Sequence, residues 1–103
     1  MPDWYVYMLR CSDGSVYTGV STDVTRRLHE HRGGGARSAR YLRTRRPVDM
    51  IFTQCVGERS AALIAEHAIK RLEKTEKERL ARGVTTLDDV LARYALQRAK
   101  RRG

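Results

Sequence analysis

The sequence predicts an α+β domain, a small three-stranded antiparallel sheet flanked by helices in the order β-β-α-(α)-β-α-α-α. Three observations lead there. Two short apolar runs, Trp4–Cys11 and Val16–Val20, are joined by Ser12-Asp13-Gly14-Ser15, a composition that makes them a hairpin. A third run, Val48–Val56, follows Pro47 only after a helical stretch. From about Arg59 onward the apolar residues recur at helical spacing. A doubly wound parallel sheet would need more strands than the chain offers.

Each element has its own justification. Trp4–Cys11 is apolar on both alternating sets, with Trp4, Val6 and Met8 on one and Tyr5, Tyr7 and Leu9 on the other, as in a central strand covered on both faces. Two loops fit the hairpin. A two-residue Asp13-Gly14 turn pairs Tyr17 with Arg10 and sends Tyr7 and Tyr17 to opposite faces. A three-residue Ser12-Asp13-Gly14 loop, with Gly14 left-handed, pairs Tyr7 with Gly19 and puts both phenols on one face. Thr22 or Asp23 can cap a helix running to about His31, which Gly33-Gly34-Gly35 breaks. Ala36–Arg43 suits a further short helix. A long helix is expected from Arg59 to about Leu72, then a second piece through Ala81, with Gly83 as its stop. Thr86-Leu87-Asp88-Asp89 resembles a capping box, after which Leu87, Val90, Leu91 and Tyr94 form a helical stripe. The basic tail Gln97–Gly103 is expected to fray. Residues 1–83 thus form one unit. Residues 84–103 are a helical extension with a basic tail, either part of the same compact unit or a helix that docks a protein partner.

Length and charge narrow the function. The 103 residues suit one core. No apolar run approaches the roughly 20 residues of a membrane span, and the start lacks a signal-peptide core. Cys11 and Cys55 are too few for a disulfide scaffold and lack zinc spacing, so a reduced, cytoplasmic protein is expected. The formal charge is +9, and two-thirds of it comes from the acid-free stretch Arg32–Arg46. Clustered arginine, with its planar donor fork, favours a phosphate polyanion, although an arginine-rich proteome would give the same preference over lysine.

The residues that could do chemistry lie elsewhere. Tyr7 and Tyr17 stand on the hairpin, where tyrosines also serve as plain core. At about 100° per residue, Arg27 and His31 flank the Val24–Leu28 stripe of their helix, while Arg26 points away. An inward cation needs a carboxylate or a bound anion, unless Arg27 merely snorkels. Glu66 borders the buried Ala62–Ile69 stripe, where a carboxylate can hold a hard cation. Its bland alternative is a helical ion pair with Lys70, four residues on. His29 and His31, two apart on a helix, cannot chelate one metal, and no zinc site is expected.

Taken together, Tyr5-Val6-Tyr7, Tyr17-Thr18-Gly19, Arg27, His31 and Glu66 resemble the GIY-YIG nuclease superfamily. The likeness is to its small single-domain bacterial members and, more distantly, to the N-terminal nuclease module of UvrC. It covers roughly residues 3–81. The resemblance implies a small antiparallel sheet with helices and metal-dependent hydrolysis of phosphodiester bonds, most naturally in DNA processing or repair. It implies catalytic roles for Tyr7, Tyr17, Arg27, His31 and Glu66, with Glu66 holding one Mg²⁺ or Mn²⁺. Arg37, Arg40, Arg43, Arg45 and Arg46, together with Lys70, would then contact the nucleic-acid backbone. Tyr5 stands where the family has Gly, and Thr18 where it has Ile. The polar residue, often Asn, that follows the glutamate helix in UvrC-like members has no clear match. Two other classes stay open, a catalytically silent nucleic-acid-binding module and an interaction protein docking through the Leu87–Tyr94 stripe.

Overall fold

A computed structural model describes residues 2–102. Strand β1 (Trp4–Cys11) and strand β2 (Val16–Ser21) form the hairpin, followed by helix α1 (Val24–Gly33) and a 3₁₀ turn (Arg40–Arg43). Strand β3 (Pro47–Gly57) comes next, then helices α2 (Arg59–Lys70), α3 (Lys74–Ala81) and α4 (Leu87–Arg102). The sheet order is β2-β1-β3, antiparallel throughout. The expected α+β class and element order therefore hold.

The hairpin takes the three-residue loop. Tyr7 pairs with Gly19 and Leu9 with Tyr17, while Gly14 adopts a φ of 84° and its N–H donates to the Cys11 carbonyl. Asp13 closes the loop by accepting from the backbone and hydroxyl of Ser15. This register sets every later relationship, because a one-residue slip would turn Tyr17 to the other face.

Because β1 is central, both of its faces are buried. Val6 and Met8 pack against Ala65, Ala68 and Ile69 of α2, Leu80 of α3, and Leu87, Val90 and Tyr94 of α4. Tyr7, Leu9 and Cys11 form a second cluster with Leu42, edged by Tyr17, Val24, Leu28, Ala39 and Met50. One layer of helices thus covers each face. The Leu87–Tyr94 stripe is covered by the chain's own core.

Local signals set the helix ends. Asp23 caps α1 by accepting from the Arg26 N–H, and Gly34 ends it with a φ of 65°. Thr86 and Asp89 exchange backbone-to-side-chain bonds at the start of α4, the expected capping box. Two expectations fail. Ala36–Arg43 is not a helix throughout; only Arg40–Arg43 is helical, as 3₁₀, since the Ala39 N–H donates to the His31 ring rather than to a helical carbonyl. The tail does not fray at Gln97 but stays helical through Arg102, in a run free of Gly and Pro. Gly103 lies outside the described residues.

Thr18 is buried at 2% exposure, and its hydroxyl has no hydrogen-bond partner among the described residues. A buried orphan hydroxyl is costly, whereas an apolar group of similar shape is not. Thr18→Val is expected to raise stability by about 1 kcal/mol in urea unfolding.

Candidate active site

The site begins with a steric allowance. Gly19 lies across from Tyr7, and a Cβ there would stand 2.5 Å from the Tyr7 Oη and 2.7 Å from its Cζ. The missing side chain lets the Tyr7 ring lie over β2. Tyr17, two residues earlier, then faces the same way, with the two rings 6.4 Å apart. His31, on the last turn of α1, completes the cluster, 5.4 Å from the Tyr17 ring.

One hydrogen bond joins sheet to helix, between Tyr7 Oη and His31 Nε2 at 2.9 Å. The Ala39 N–H donates to His31 Nδ1 at 3.2 Å, so the neutral ring carries its proton on Nε2 and donates to the phenol. Burial is the main reason the imidazole favours its neutral form, with a pKa lowered to about 4; the Arg27 charge adds to this and Glu30 opposes it. Tyr7 is 1% exposed. Burial holds its phenol well above the usual tyrosine range, nearby Tyr17 adds to this, and Arg27 pulls the other way. Burial also raises Tyr17, with Arg27 opposing and Glu66 assisting.

Arg27 faces inward, as its helical position requires. Its guanidinium lies 3.3 Å from Glu30 and donates to the Arg37 carbonyl. Glu30 also forms an ion pair with Arg37 at 3.6 Å. Glu66, on α2, is the carboxylate whose charge both phenols sense, and it pairs with Lys70 at 3.4 Å. Of the two readings of Glu66, the ion pair with Lys70 is the one seen here, on a carboxylate that also lies near both phenols. Among the described residues no three His, Cys, Asp or Glu side chains gather as a metal-ligand group.

The structure adds residues that the sequence reading passed over. Tyr41 packs against Tyr17 with centroids 5.8 Å apart, and Arg45 lies over its ring at 4.4 Å. Lys77, from α3, joins Lys70, Tyr17, Thr18 and Tyr41 around one cleft. Burial and the Lys70 charge lower the Lys77 pKa. Tyr41 carried a signal, an aromatic set among arginines. Lys77 carried none, since only the angle between α2 and α3 brings it to the cleft.

The basic stretch divides in two. Arg45 is 3.1 Å from Asp13 of the hairpin loop, and Arg43 donates to the Ala36 carbonyl. Arg37, Arg40 and Arg46 are exposed beside them. The loop thus presents cations to solvent while being tied to the hairpin and to α1.

Fold and site together are of the nuclease-like type, a short antiparallel sheet presenting two tyrosines beside a histidine and an arginine from α1 and a glutamate from α2. The chain belongs to the GIY-YIG family, whose catalytic-domain model matches residues 3–79. A UPF0213 protein of Desulfotalea psychrophila is 43% identical over 81 residues, covering 79% of this chain and 73% of that protein. The UPF0213 protein YhbQ of Escherichia coli is 42% identical over 80 residues, covering 78% of each. The solution structure of a UPF0213 protein from Bacillus halodurans is 40% identical and aligns with a TM-score of 0.48, over 76% of this chain and 81% of that one. No helix among the described residues is long and apolar enough to cross a membrane.

Two outcomes follow from the cluster. Gly19→Ala forces Tyr7 aside and is expected to cost about 1–3 kcal/mol in denaturant unfolding, with altered near-ultraviolet tyrosine signals. His31 gives the fold an acid sensitivity. Its folded pKa lies below the unfolded value, so its contribution is full above about pH 6.5 and is lost as pH falls towards about 4. At about 1.4 kcal/mol per unit, about 2 kcal/mol should disappear between pH 6.5 and 5. Urea unfolding of His31→Gln should lack that slope; an unchanged slope would assign it to other groups.

Proposed function

We propose that this protein is a metal-dependent endonuclease that hydrolyses phosphodiester bonds in nucleic acid, most naturally DNA, in processing or repair. The observation carrying this reading is that Tyr7, held by His31, shares one face with Tyr17 while sensing opposite charges from Arg27 and Glu66. A cluster of ring packing alone has no use for those two charges.

The roles divide by chemistry. Hydrolysis of a phosphodiester requires an oriented water, neutralised phosphoryl oxygens and a stabilised leaving oxygen. In the free protein Tyr7 is a phenol, since burial outweighs the cation beside it. The His31 Nε2–H and the Arg27 guanidinium both favour its phenolate, so Tyr7 is poised to orient water or to take its proton when further positive charge arrives. Arg27 exchanges its internal partners for non-bridging phosphate oxygens. Tyr17, less buried than Tyr7, positions the phosphate at the cleft mouth with Lys70 and Lys77.

Glu66 would hold the Mg²⁺ or Mn²⁺. A single partly exposed carboxylate suits Mg²⁺, which keeps several waters and completes its shell with substrate oxygens. Such an ion supplies charge neutralisation at the phosphoryl group and lowers the proton affinity of nearby water. Lys70 pairs with this carboxylate in the free protein, and would face phosphate were the carboxylate to hold the ion.

Arg37, Arg40, Arg43, Arg45 and Arg46 provide salt-dependent, largely sequence-independent grip beside this centre. The deciding experiment offers flap, branched, single-stranded and duplex DNA, and RNA, with and without Mg²⁺ or Mn²⁺. Cleavage is expected only with metal. Glu66→Ala should fold normally and cleave at least about 100-fold more slowly, as loss of a principal electrostatic group does. Cleavage by Glu66→Ala at the unaltered rate overturns the assignment, and binding without cleavage points to a silent nucleic-acid-binding module.

A further inference from the structure

A second cationic cleft lies between α2 and α4, lined by His67, Arg71, Tyr94, Gln97, Arg98 and Arg101. All of α4 falls beyond the region matched by the family model. The floor of the cleft is built: Tyr94 is 8% exposed and its hydroxyl is 3.2 Å from His67 Nδ1, while Arg98 lies over its ring at 5.7 Å.

This cleft gathers three arginines and no carboxylate. Several cations elsewhere are matched: Arg10 with Glu78, Arg27 with Glu30, Arg45 with Asp13, Lys70 with Glu66, Arg93 with Glu76. Among the described residues neither Arg71, Arg98 nor Arg101 has a carboxylate partner, and no acid lines the cleft. Like charges converging on one hollow repel unless an anion occupies it. Three donor forks with an amide between them suit phosphate oxygens.

We propose that this cleft binds the phosphodiester backbone of the same nucleic acid, beyond the segment held at the tyrosine cluster. The proposal rests on the functional reading above and extends it to a second contact. Helix α2 provides the link. Its buried stripe is Ala62, Ala65, Ala68 and Ile69, and at about 100° per residue Glu66 flanks one side of it while His67 and Arg71 lie towards the other. The two sites thus stand on either side of one helix. An α-helix with side chains is about 10 Å across, and one strand advances about 3.4 Å per phosphate, so a strand crossing α2 joins them within a few nucleotides. Lys70, on the exposed face between, lies on that path.

The test measures binding against salt, without divalent metal, for fluorescent DNA duplexes of about 6 and about 24 base pairs. Removing three phosphate contacts lowers the log–log salt slope by about 2–3. Arg71→Ala/Arg98→Ala/Arg101→Ala should show that drop on the long duplex, with affinity at least about tenfold weaker, and little change on the short one. Gln97→Glu, which removes no cation, should weaken the long duplex in the same direction. Arg26→Ala/Arg79→Ala/Arg82→Ala, exposed positions outside the cleft, takes away equal charge and should leave the slope nearly intact. An unchanged slope for the cleft triple overturns the site, as do equal losses from both triples. Tighter capture by anionic phospholipid vesicles than by the long duplex overturns it in favour of a membrane surface. If the unaltered protein binds neither duplex, this site falls, and the endonuclease reading falls with it only if no flap, branched or single-stranded DNA or RNA is cleaved. If it binds both and the cleft triple binds alike, only this site falls.

Discussion

The hydrogen bond between Tyr7 and His31 is the constraint on which the rest of this molecule turns. It ties the middle of the central strand to the last turn of α1. Each end depends on something else. The phenol can lie where it does only because Gly19 has no side chain, and Gly19 is opposite only because the hairpin loop is three residues long. The imidazole is held by the Ala39 N–H, which in turn keeps the following segment out of a helix. Loop length, glycine, tautomer and chain path are thus one linked set.

Charge is organised around that bond in two different ways. Close to it two cations are matched by acids, Arg27 by Glu30 and Lys70 by Glu66, while Lys77 stands beside Lys70 without one among the described residues. Such pairs are partly exposed and contribute little to stability, which makes them exchangeable for an anionic substrate. Further out the balance is abandoned. The Arg32–Arg46 stretch has no acid in its sequence, and the α2–α4 cleft has none on its walls. On the proposed endonuclease reading, attraction over distance and reaction at contact fall to separate residues.

Much of this could be read from the chain. The two-faced apolar pattern of Trp4–Cys11 marked a central strand, and burial of Val6, Tyr7, Met8 and Leu9 follows from it. The inward bias of Arg27 and His31 came from helical geometry, and so did the position of Glu66 beside a buried stripe. The capping box at Thr86 was legible because it is local. The less legible features are non-local. Helix α4 stays ordered past Gln97, where net charge alone suggested fraying, and Ala36–Arg43 loses its first half to a bond made by a distant imidazole. Lys77 enters the cleft through an inter-helix angle with no sequence signature.

Sequence by itself determined the element order, the central strand, the capping box at Thr86 and the family, because each rests on residue type and spacing within a few positions or on an ordered motif set. It left two hairpin loops open, and with them the question of whether Tyr7 and Tyr17 meet. Only the tertiary structure decided that, by placing Gly19 beneath Tyr7 and His31 above it. It also decided which arginines are matched and which are left facing one another. The reason is the same in both cases: periodicity fixes the face on which a side chain sits, whereas its partner is fixed by the packing of segments far apart in the chain.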